Sequence, residues 1–355
     1  MDLDNLASFK SIDTVRYINE IDGLPDQLKE AWDLGNGQGL PNWQGIRQVV
    51  IAGMGGSAIG ADLLAAYIEP TCRVPLLVHR DYGLPAWARG PETLVIASSH
   101  SGNTEETISA FERAQTQGCR ILTLATGGRL VEAAHKSGHP TWIFNHTGQP
   151  RAAVGFSFGL LLAVVHRLGL IPDPSQELDT AIAVMRDQQS RLRPEVTVVN
   201  NPAKRMAGQL MDRWVTVFGA GVLAPVARRW KGQLNELAKA WGQFDFLPEA
   251  DHNTLSGVMF PQEQLPRMVA LFLRGPADYP RHHLRLDLTR KAFMLEGIGT
   301  DFIDAQGDTP LANQWTSLLF GEYTAFYLAM AYGIDPTPIE TIHAFKREME
   351  AAGAG

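Results

Sequence analysis

A loop rich in hydroxyl groups follows one of the most apolar segments of the chain. Residues 98–104 read Ser-Ser-His-Ser-Gly-Asn-Thr, between an apolar run at 93–97 and a helical pattern. A chain that passes from a buried strand through this loop into a helix places hydroxyls beside the free backbone N–H groups of the helix N-terminus. Those donors and the helix dipole both favour an anion. We therefore predict that Ser99, Ser101 and Thr104 bind a phosphate group.

Two further features restrict the chemical class of the ligand predicted for this loop. It contains no lysine of the kind that nucleoside triphosphate-binding loops use, so a phosphorylated metabolite is the predicted ligand. A second turn, Gly55-Gly56-Ser57, follows the apolar run at 48–52, and we expect it to face the same ligand. Thr104 has a structural alternative, because a threonine at this position can simply cap the helix.

Apolar runs, rather than alternating patterns, predict the strands of the first half of the chain. Strands covered on both faces are typical of parallel sheets packed between helices, so these runs indicate an α/β fold. The predicted strands are 48–52, 74–78, 93–97, 120–124 and 141–144.

The same pattern restarts in the second half. Residues 214–221 echo residues 48–55, each a strand that feeds a glycine-rich turn, and the second sheet is predicted to continue through 269–273 and 291–295. This repetition predicts two tandem α/β domains, each a parallel β-sheet flanked by helices in a three-layer αβα arrangement. The predicted ranges are a helical segment at 1–40, a first domain at 41–175 with the phosphate-binding loop, a linking helix at 178–193, a second domain at 190–335 and a C-terminal helix at 336–355.

Composition argues against several classes of function. The 355 residues carry a formal net charge of −7 with both signs interspersed, which is not the basic footprint of a nucleic-acid-binding protein. No apolar run approaches the roughly 20 residues that span a bilayer, and no signal-peptide pattern is visible at the start. Cys72 and Cys119 fit a reducing compartment. The sequence predicts a cytoplasmic protein that binds a small molecule, without nucleic-acid or membrane partners.

Histidine and glycine patterns give little support to a metal or a dinucleotide. His135 and His139 are separated by a serine and a glycine that disfavour a shared helical face, and His282 and His283 are adjacent. The glycines after the first predicted strand match a dinucleotide fingerprint only loosely, because no acidic residue closes the next strand. No metal and no cofactor is predicted.

Five motifs spread over most of the chain recur together in one known family. With them the chain resembles the sugar isomerase (SIS) domain proteins, and more narrowly the bifunctional phosphoglucose/phosphomannose isomerases, which carry two such domains. The resemblance implies interconversion of glucose 6-phosphate or mannose 6-phosphate with fructose 6-phosphate through an enediolate, without a metal, in a homodimer whose active site is shared between subunits. The motifs are Gly55-Gly56-Ser57, Ser99-x-Ser101-Gly102-Asn103-Thr104, Gln149-Pro150-Arg151, Lys231-x-x-x-Asn235-Glu236 and Pro248-Glu249-x-x-His252-Asn253.

The resemblance also implies roles for four catalytic residues. Glu236 is the candidate base for the proton that moves between C1 and C2, and Arg151 would stabilise the enediolate oxygen. His252 and Lys346 would open the sugar ring, and in the family the matching histidine comes from the neighbouring subunit. One departure concerns His100, which stands where the family commonly has a tyrosine.

Each of these assignments has a structural alternative. Glu236 and Lys346 could be solvated helix residues, Arg151 could form an ion pair at a helix start, and His252 could make a local hydrogen bond in its loop. For the whole chain, one alternative is a sugar-phosphate sensor or regulator, which would need the hydroxyl-rich loop but neither Glu236 nor His252. The other is an isomerase of a different sugar phosphate.

Overall fold

A five-stranded parallel sheet organises the first half of the molecule. The computed structural model describes residues 2–353, and the first sheet has the strand order β2-β1-β3-β4-β5 with every pair parallel. The pattern of apolar runs is confirmed, because β3 is buried along its whole length. The strands are β1 (Gln48–Ala52), β2 (Leu76–His79), β3 (Thr93–Ser99), β4 (Arg120–Ala125) and β5 (Thr141–Ile143).

Helices cover both faces of this sheet and form the N-terminal segment. Residues 154–165 are all buried, which makes the helix containing them part of the core rather than of the surface. A 3₁₀ turn (Pro150–Ala152) precedes that helix. The helices are α1 (Leu6–Ile12), α2 (Ile18–Asp22), α3 (Leu24–Gly37), α4 (Gly55–Ile68), α5 (Glu105–Thr116), α6 (Gly128–Lys136), α7 (Val154–Arg167) and α8 (Ser175–Gln189).

The second half repeats this plan with four strands. Its sheet has the order β7-β6-β8-β9, again entirely parallel. The strands are β6 (Trp214–Ala220), β7 (Gly242–Leu247), β8 (Met268–Arg274) and β9 (Gly299–Asp304). The helices are α9 (Pro202–Leu210), α10 (Ala224–Glu236), α11 (Pro280–Leu295), α12 (Pro310–Tyr332) and α13 (Glu340–Gly353). The predicted helix at 336–355 corresponds to α13; residues 1, 354 and 355 lie outside the described residues.

One hydrophobic core joins the two halves. Buried residues from one face of each sheet belong to the same cluster, together with residues of α7 and α12. Gln314 of α12 donates one hydrogen bond to the carbonyl oxygen of Leu63 (3.0 Å) and another to that of Val222 (3.1 Å). The α/β fold class with two parallel sheets is thus confirmed. None of the helices between residues 2 and 353 combines the length and apolar character that a bilayer crossing requires.

The strand predicted at 291–295 is wrong, because these residues form the last turns of α11. Leu286, Thr289 and Phe293 are buried at helical spacing, whereas Met294 and Leu295 are 49 % and 76 % exposed. The apolar run therefore joins the buried face of an amphipathic helix to its exposed end, and a short apolar run alone does not distinguish helix from strand.

Candidate active site

The candidate site begins where the first sheet changes winding direction. β1 and β3 are neighbours, with β2 on one side of them and β4 on the other. In open parallel sheets, ligands bind outside the carboxyl ends of the strands at this switch point. The turns that follow β1 and β3 meet here: the backbone N–H of His100 donates to Ser57 Oγ at 3.1 Å. These are the two turns that the sequence predicts for phosphate.

The loop between β3 and α5 (residues 99–104), called the phosphate loop below after its predicted ligand, is held together by hydrogen bonds of its own hydroxyl groups. Ser99 Oγ lies 2.9 Å from Thr104 Oγ1 and accepts a hydrogen bond from the Gly102 N–H at 3.1 Å. Ser101 Oγ accepts from the Asn103 N–H at 3.2 Å. Thr104 occupies the N-cap position of α5 but makes no capping hydrogen bond, so the alternative of a simple threonine cap is wrong. The first N–H groups of α5 therefore remain available to an anion.

Gly56, at the start of α4, packs closely against the turn that holds Arg151. A Cβ atom at Gly56 would overlap the Pro150 carbonyl oxygen and lie 3.3 Å from the Arg151 Cα. Any side chain there would push the two segments apart. Ser57 thus contacts the phosphate loop while its neighbour Gly56 packs on the backbone of Arg151.

Arg151 is a buried cation with unused donors. It is 3 % exposed, and its Nη2 donates to the carbonyl oxygens of Pro336 (3.0 Å) and Thr337 (2.7 Å). Its Nη1 lies 3.8 Å from Glu236 Oε2. Within the described residues, Nε and Nη1 make no hydrogen bond, which is costly for buried donors. Of these two buried donors, Nη1 is the one that faces Glu236.

One face of α10 carries the groups that surround this arginine. Arg229, Gln233 and Glu236 are spaced four and three residues apart and so lie on the same side of the helix. Arg229 donates from Nε to Glu322 Oε1 (2.7 Å) and from Nη2 to the Arg151 carbonyl oxygen (2.6 Å), and Gln233 also donates to the Glu322 carboxylate. Glu236 ends the helix with its side chain 31 % exposed. The buried polar groups therefore fix α10 against Arg151 and leave the Glu236 carboxylate accessible.

Tyr17 of the N-terminal segment completes the floor of the site. The Arg151 guanidinium lies 5.2 Å from the centre of its ring, within the range of a cation–π contact. Burial, and next the Glu322 carboxylate, raise the pKa of the Tyr17 phenol, so the hydroxyl stays protonated. No sequence motif marks Tyr17, Arg229 or Glu322, because their contacts form between distant segments. Arg229 and Gln233 precede Glu236 at helical spacing, and this spacing could have predicted that both lie beside it.

Lys239, three residues after the candidate base, is a further side chain that the sequence analysis missed. Its Nζ donates to the carbonyl oxygens of Glu236 (2.6 Å), Leu237 (3.4 Å) and Pro336 (3.1 Å). Burial, and next the Arg151 guanidinium, lower the pKa of Lys239 to about 8. The proximity of Lys239 to Glu236 in sequence was the available cue.

A chain of two histidines and a carboxylate leads from the phosphate loop to α2. His100 Nε2 lies 2.8 Å from His146 Nδ1, and His146 Nε2 lies 3.2 Å from Glu20 Oε2. Because a carboxylate only accepts, His146 donates to Glu20 and accepts from the Nε2–H of His100. Burial, and next the neighbouring His146, lower the pKa of His100 to about 4. The phosphate loop therefore carries a neutral imidazole near pH 7.

The other two predicted catalytic residues lie elsewhere in the chain. His252 is exposed at the end of a 3₁₀ turn (Glu249–His252) after β7, and Lys346 is exposed on α13. Within the described residues, neither makes a hydrogen bond or ion pair with Arg151 or Glu236. A single chain thus brings together the two phosphate turns, Arg151 and Glu236, but not His252 or Lys346.

Neither histidine pair considered for a metal lies on a shared helical face. α6 contains His135 and ends at Lys136, so His139 does not continue its helical face. His282 and His283 are consecutive residues of α11. Within residues 2–353, no group of three His, Cys, Asp or Glu side chains is arranged to hold a metal ion.

Known proteins with this architecture define the class to which the chain belongs. Residues 199–349 match the family described as the bacterial phospho-glucose isomerase C-terminal SIS domain. The crystal structure of a glucose-6-phosphate isomerase like protein from Thermus thermophilus has the same fold, with a TM-score of 0.62 at 20 % identity, over 95 % of this chain and 98 % of that one. The fold is that of a protein built from SIS domains.

Sequence relatives define the family more narrowly. The chain is 36 % identical over 330 residues to the bifunctional phosphoglucose/phosphomannose isomerase of Caldicellulosiruptor bescii, covering 92 % of this chain and 96 % of the relative. The enzyme of that name from Aquifex aeolicus is 31 % identical over 303 residues, covering 85 % and 90 %. The chain belongs to the bifunctional phosphoglucose/phosphomannose isomerase family, as its motifs predict, and it is a sugar-phosphate isomerase.

Proposed function

We propose that this protein interconverts glucose 6-phosphate or mannose 6-phosphate with fructose 6-phosphate through an enediolate. The observation that carries the proposal is the pair formed by Glu236 and Arg151, a carboxylate 3.8 Å from a buried guanidinium with unused donors. A carboxylate can remove a proton from carbon, and a fixed cation can stabilise the charge that develops on the adjacent oxygen. An anion site in the same chain suits a substrate with a phosphate remote from the reacting carbons.

In the proposed reaction, Glu236 takes the proton from C2 of the open-chain aldose. The electrons of that bond form the C1–C2 double bond, and the former aldehyde oxygen becomes the oxyanion that Arg151 stabilises. A proton then passes from the C2 oxygen to the C1 oxygen, and Glu236 returns its proton to C1 to give the ketose. This scheme conserves every atom and uses no metal or redox cofactor. Binding energy from the phosphate, held by Ser101 and Thr104, would keep C1 and C2 at the base.

Ring opening is assigned to His252 and Lys346 in a homodimer, with His252 supplied by the partner subunit. The exposure of His252 supports this arrangement. So does α13, which carries Lys346 and exposes Ile342 (39 %), Phe345 (62 %) and Met349 (44 %) at helical spacing. An apolar stripe of this kind is typical of a helix that packs against another surface. The proposed location is the cytoplasm, since Cys72 and Cys119 are free thiols.

Turnover of both aldose phosphates tests the reaction. Fructose 6-phosphate is incubated with the purified protein in D₂O, and both products are quantified by NMR. The enediolate route predicts solvent deuterium at C2 of the aldose. Glu236→Gln should lower kcat by about 10³-fold while leaving competitive inhibition by inorganic phosphate unchanged, and Glu132→Gln on the exposed face of α6 is the control. The proposed reaction is wrong if neither aldose forms. Unchanged turnover in Glu236→Gln would mean that Glu236 is not the base.

Mixed dimers test the shared site. Differently tagged Glu236→Gln and His252→Gln chains are co-expressed, and the hybrid dimer is isolated. If His252 acts across the interface, one site of the hybrid combines native Glu236 with native His252, so activity returns to about half that of the wild type. If His252 acts within its own chain, both sites remain defective. A monomeric native mass in solution would exclude the arrangement outright.

A further inference from the structure

Lys239 occupies a backbone conformation that rarely suits a lysine. Its φ is +53°, in the left-handed region that glycine adopts without steric cost. It follows the C-terminus of α10, where glycine is the usual residue of left-handed conformation. A strained lysine beside a candidate base indicates that the side chain contributes something that glycine could not.

That contribution is visible in the contacts of the ammonium group. An ammonium has three N–H donors, and Nζ of Lys239 has three carbonyl acceptors. Two of them, Glu236 and Leu237, lie at the end of α10, where carbonyl groups lack partners within the helix and favour a cation. Lys239 therefore stabilises the helix end that carries Glu236.

The third acceptor connects this helix end to Arg151. The Pro336 carbonyl oxygen accepts from Lys239 Nζ at 3.1 Å and from Arg151 Nη2 at 3.0 Å. The same guanidinium places its Nη1 3.8 Å from Glu236 Oε2. One carbonyl oxygen thus fixes both the support of the candidate base and the candidate oxyanion-stabilising group.

We propose that Lys239 is a positioning residue for the isomerisation, which holds the end of α10 against the Pro336 carbonyl so that Glu236 and Arg151 keep a fixed separation. The inference rests on the proposed roles of Glu236 and Arg151. Lys239 acts on the reacting groups through carbonyl oxygens, so its loss should change turnover more than substrate binding. Small displacements of a base lower the rate strongly, because the reacting atoms must be held in a near-attack geometry.

The charge of Lys239 depends on the groups that face it. Arg151 faces it from the 3₁₀ turn and disfavours the ammonium, whereas Asp335 and Glu236 favour it. With a pKa of about 8, lowered first by burial and then by Arg151, the ammonium loses its proton as the pH rises through that value. The neutral amine has only two N–H donors for three carbonyls, so kcat should fall on the alkaline side.

Glycine and arginine substitutions separate positioning from folding. Lys239→Gly removes three hydrogen bonds but also relieves the backbone strain, so the two effects on stability oppose each other, and the melting temperature is measured alongside the kinetics. The kcat of this variant should fall by at least about 10-fold, with KM and inhibition by inorganic phosphate within about twofold of wild type. Asp212→Gly is the matched control, because Asp212 is exposed, has φ of +57° and lies in the turn before β6. It should keep native turnover.

Lys239→Arg decides the role even if the glycine variant folds poorly. An arginine stays charged throughout the assay range, so residual activity should no longer fall as the pH passes 8. The inference is overturned if Lys239→Gly keeps native kcat, if only KM changes, or if Lys239→Arg retains the alkaline limb of the wild type. Failure of the proposed function has a different signature, since wild type would then show no isomerisation or Glu236→Gln would remain active.

Discussion

Arg151 Nη1 lies 3.8 Å from Glu236 Oε2, although the two residues come from different halves of the chain. The guanidinium is held by the Pro336 and Thr337 carbonyl oxygens through Nη2 alone. Its other two nitrogens make no hydrogen bond within residues 2–353. Within this range, Nη1 is therefore a buried donor without a hydrogen-bond partner on the side of the carboxylate, where the proposed reaction needs a donor for the oxyanion.

Arg151→Lys should lower kcat by about 100-fold or more while changing KM little. An ammonium cannot reproduce the planar fork that contacts the two backbone carbonyls and still presents two donors to an oxyanion. Steady-state kinetics with fructose 6-phosphate measure kcat and KM separately and so show which of the two changes.

Arg167→Lys is the control for this substitution. Arg167 Nη1 also donates to two carbonyl oxygens, those of Gly35 (2.6 Å) and Gln38 (2.7 Å), and its guanidinium lies over Trp142. Both variants should lose stability, but only Arg151→Lys should lose turnover. Equal kcat values would mean that Arg151 has a structural role alone.

The sequence predicted the central strands of both sheets because they are apolar on both faces. It missed the edge strands β7 and β9, where polar residues such as Gln243, Asp245 and Asp301 interrupt the apolar pattern. It also assigned 291–295 to a strand, because the four residues after Lys291 are all apolar and do not reveal a helical period. For α11, the burial of every third or fourth residue in the folded chain is what distinguishes the helix from a strand.

The candidate site likewise has one part that the sequence predicts and one part that it does not. The phosphate turns were predictable, because a strand, a glycine-rich or hydroxyl-rich turn and a helix follow one another in sequence. The surroundings of Glu236 were not, because Tyr17, Arg229 and Glu322 meet only when α2, α10 and α12 pack together. His252 and Lys346 stay predictions, since their proposed neighbours belong to an assembly rather than to one chain.

The double substitution Ser101→Ala and Thr104→Ala should raise KM by about 10-fold or more, since each hydroxyl would lose a hydrogen bond to a charged group. The inhibition constant of inorganic phosphate should rise in parallel, while kcat at saturation falls less. Thr104 Oγ1 also contacts Ser99 Oγ at 2.9 Å, so the melting temperature is measured alongside the kinetics.

Thr116→Ala is the control for the phosphate loop. Thr116 lies at the opposite end of α5, where its Oγ1 donates to the Arg113 carbonyl oxygen at 2.9 Å. This variant should keep native KM and native inhibition by phosphate. If the double variant behaves like Thr116→Ala, the anion binds elsewhere.

His100 should make the stability of the protein depend on pH in acid. Burial, and next His146, lower its pKa from 6.5 to about 4 in the folded chain. Between these values the unfolded chain binds a proton that the folded chain does not, so the free energy of unfolding decreases as the pH falls from about 6.5 towards 4. The contribution is fully present above 6.5. His100→Gln removes the titrating group and keeps a donor for His146, so part of this decrease should disappear.

Urea unfolding at intervals from pH 4 to pH 8 measures the difference between wild type and His100→Gln. The two curves should run parallel from pH 7 to pH 8, which serves as the internal control, and below pH 6.5 the wild-type curve should fall more steeply than that of His100→Gln. Glu20→Gln removes the carboxylate that favours the charged form of His100, so its unfolding free energy should fall at least as steeply as that of wild type in this range. Curves for wild type and His100→Gln that stay parallel down to pH 4 would mean that His100 is protonated to the same extent in both states, and the neutral imidazole beside the phosphate loop would then be wrong.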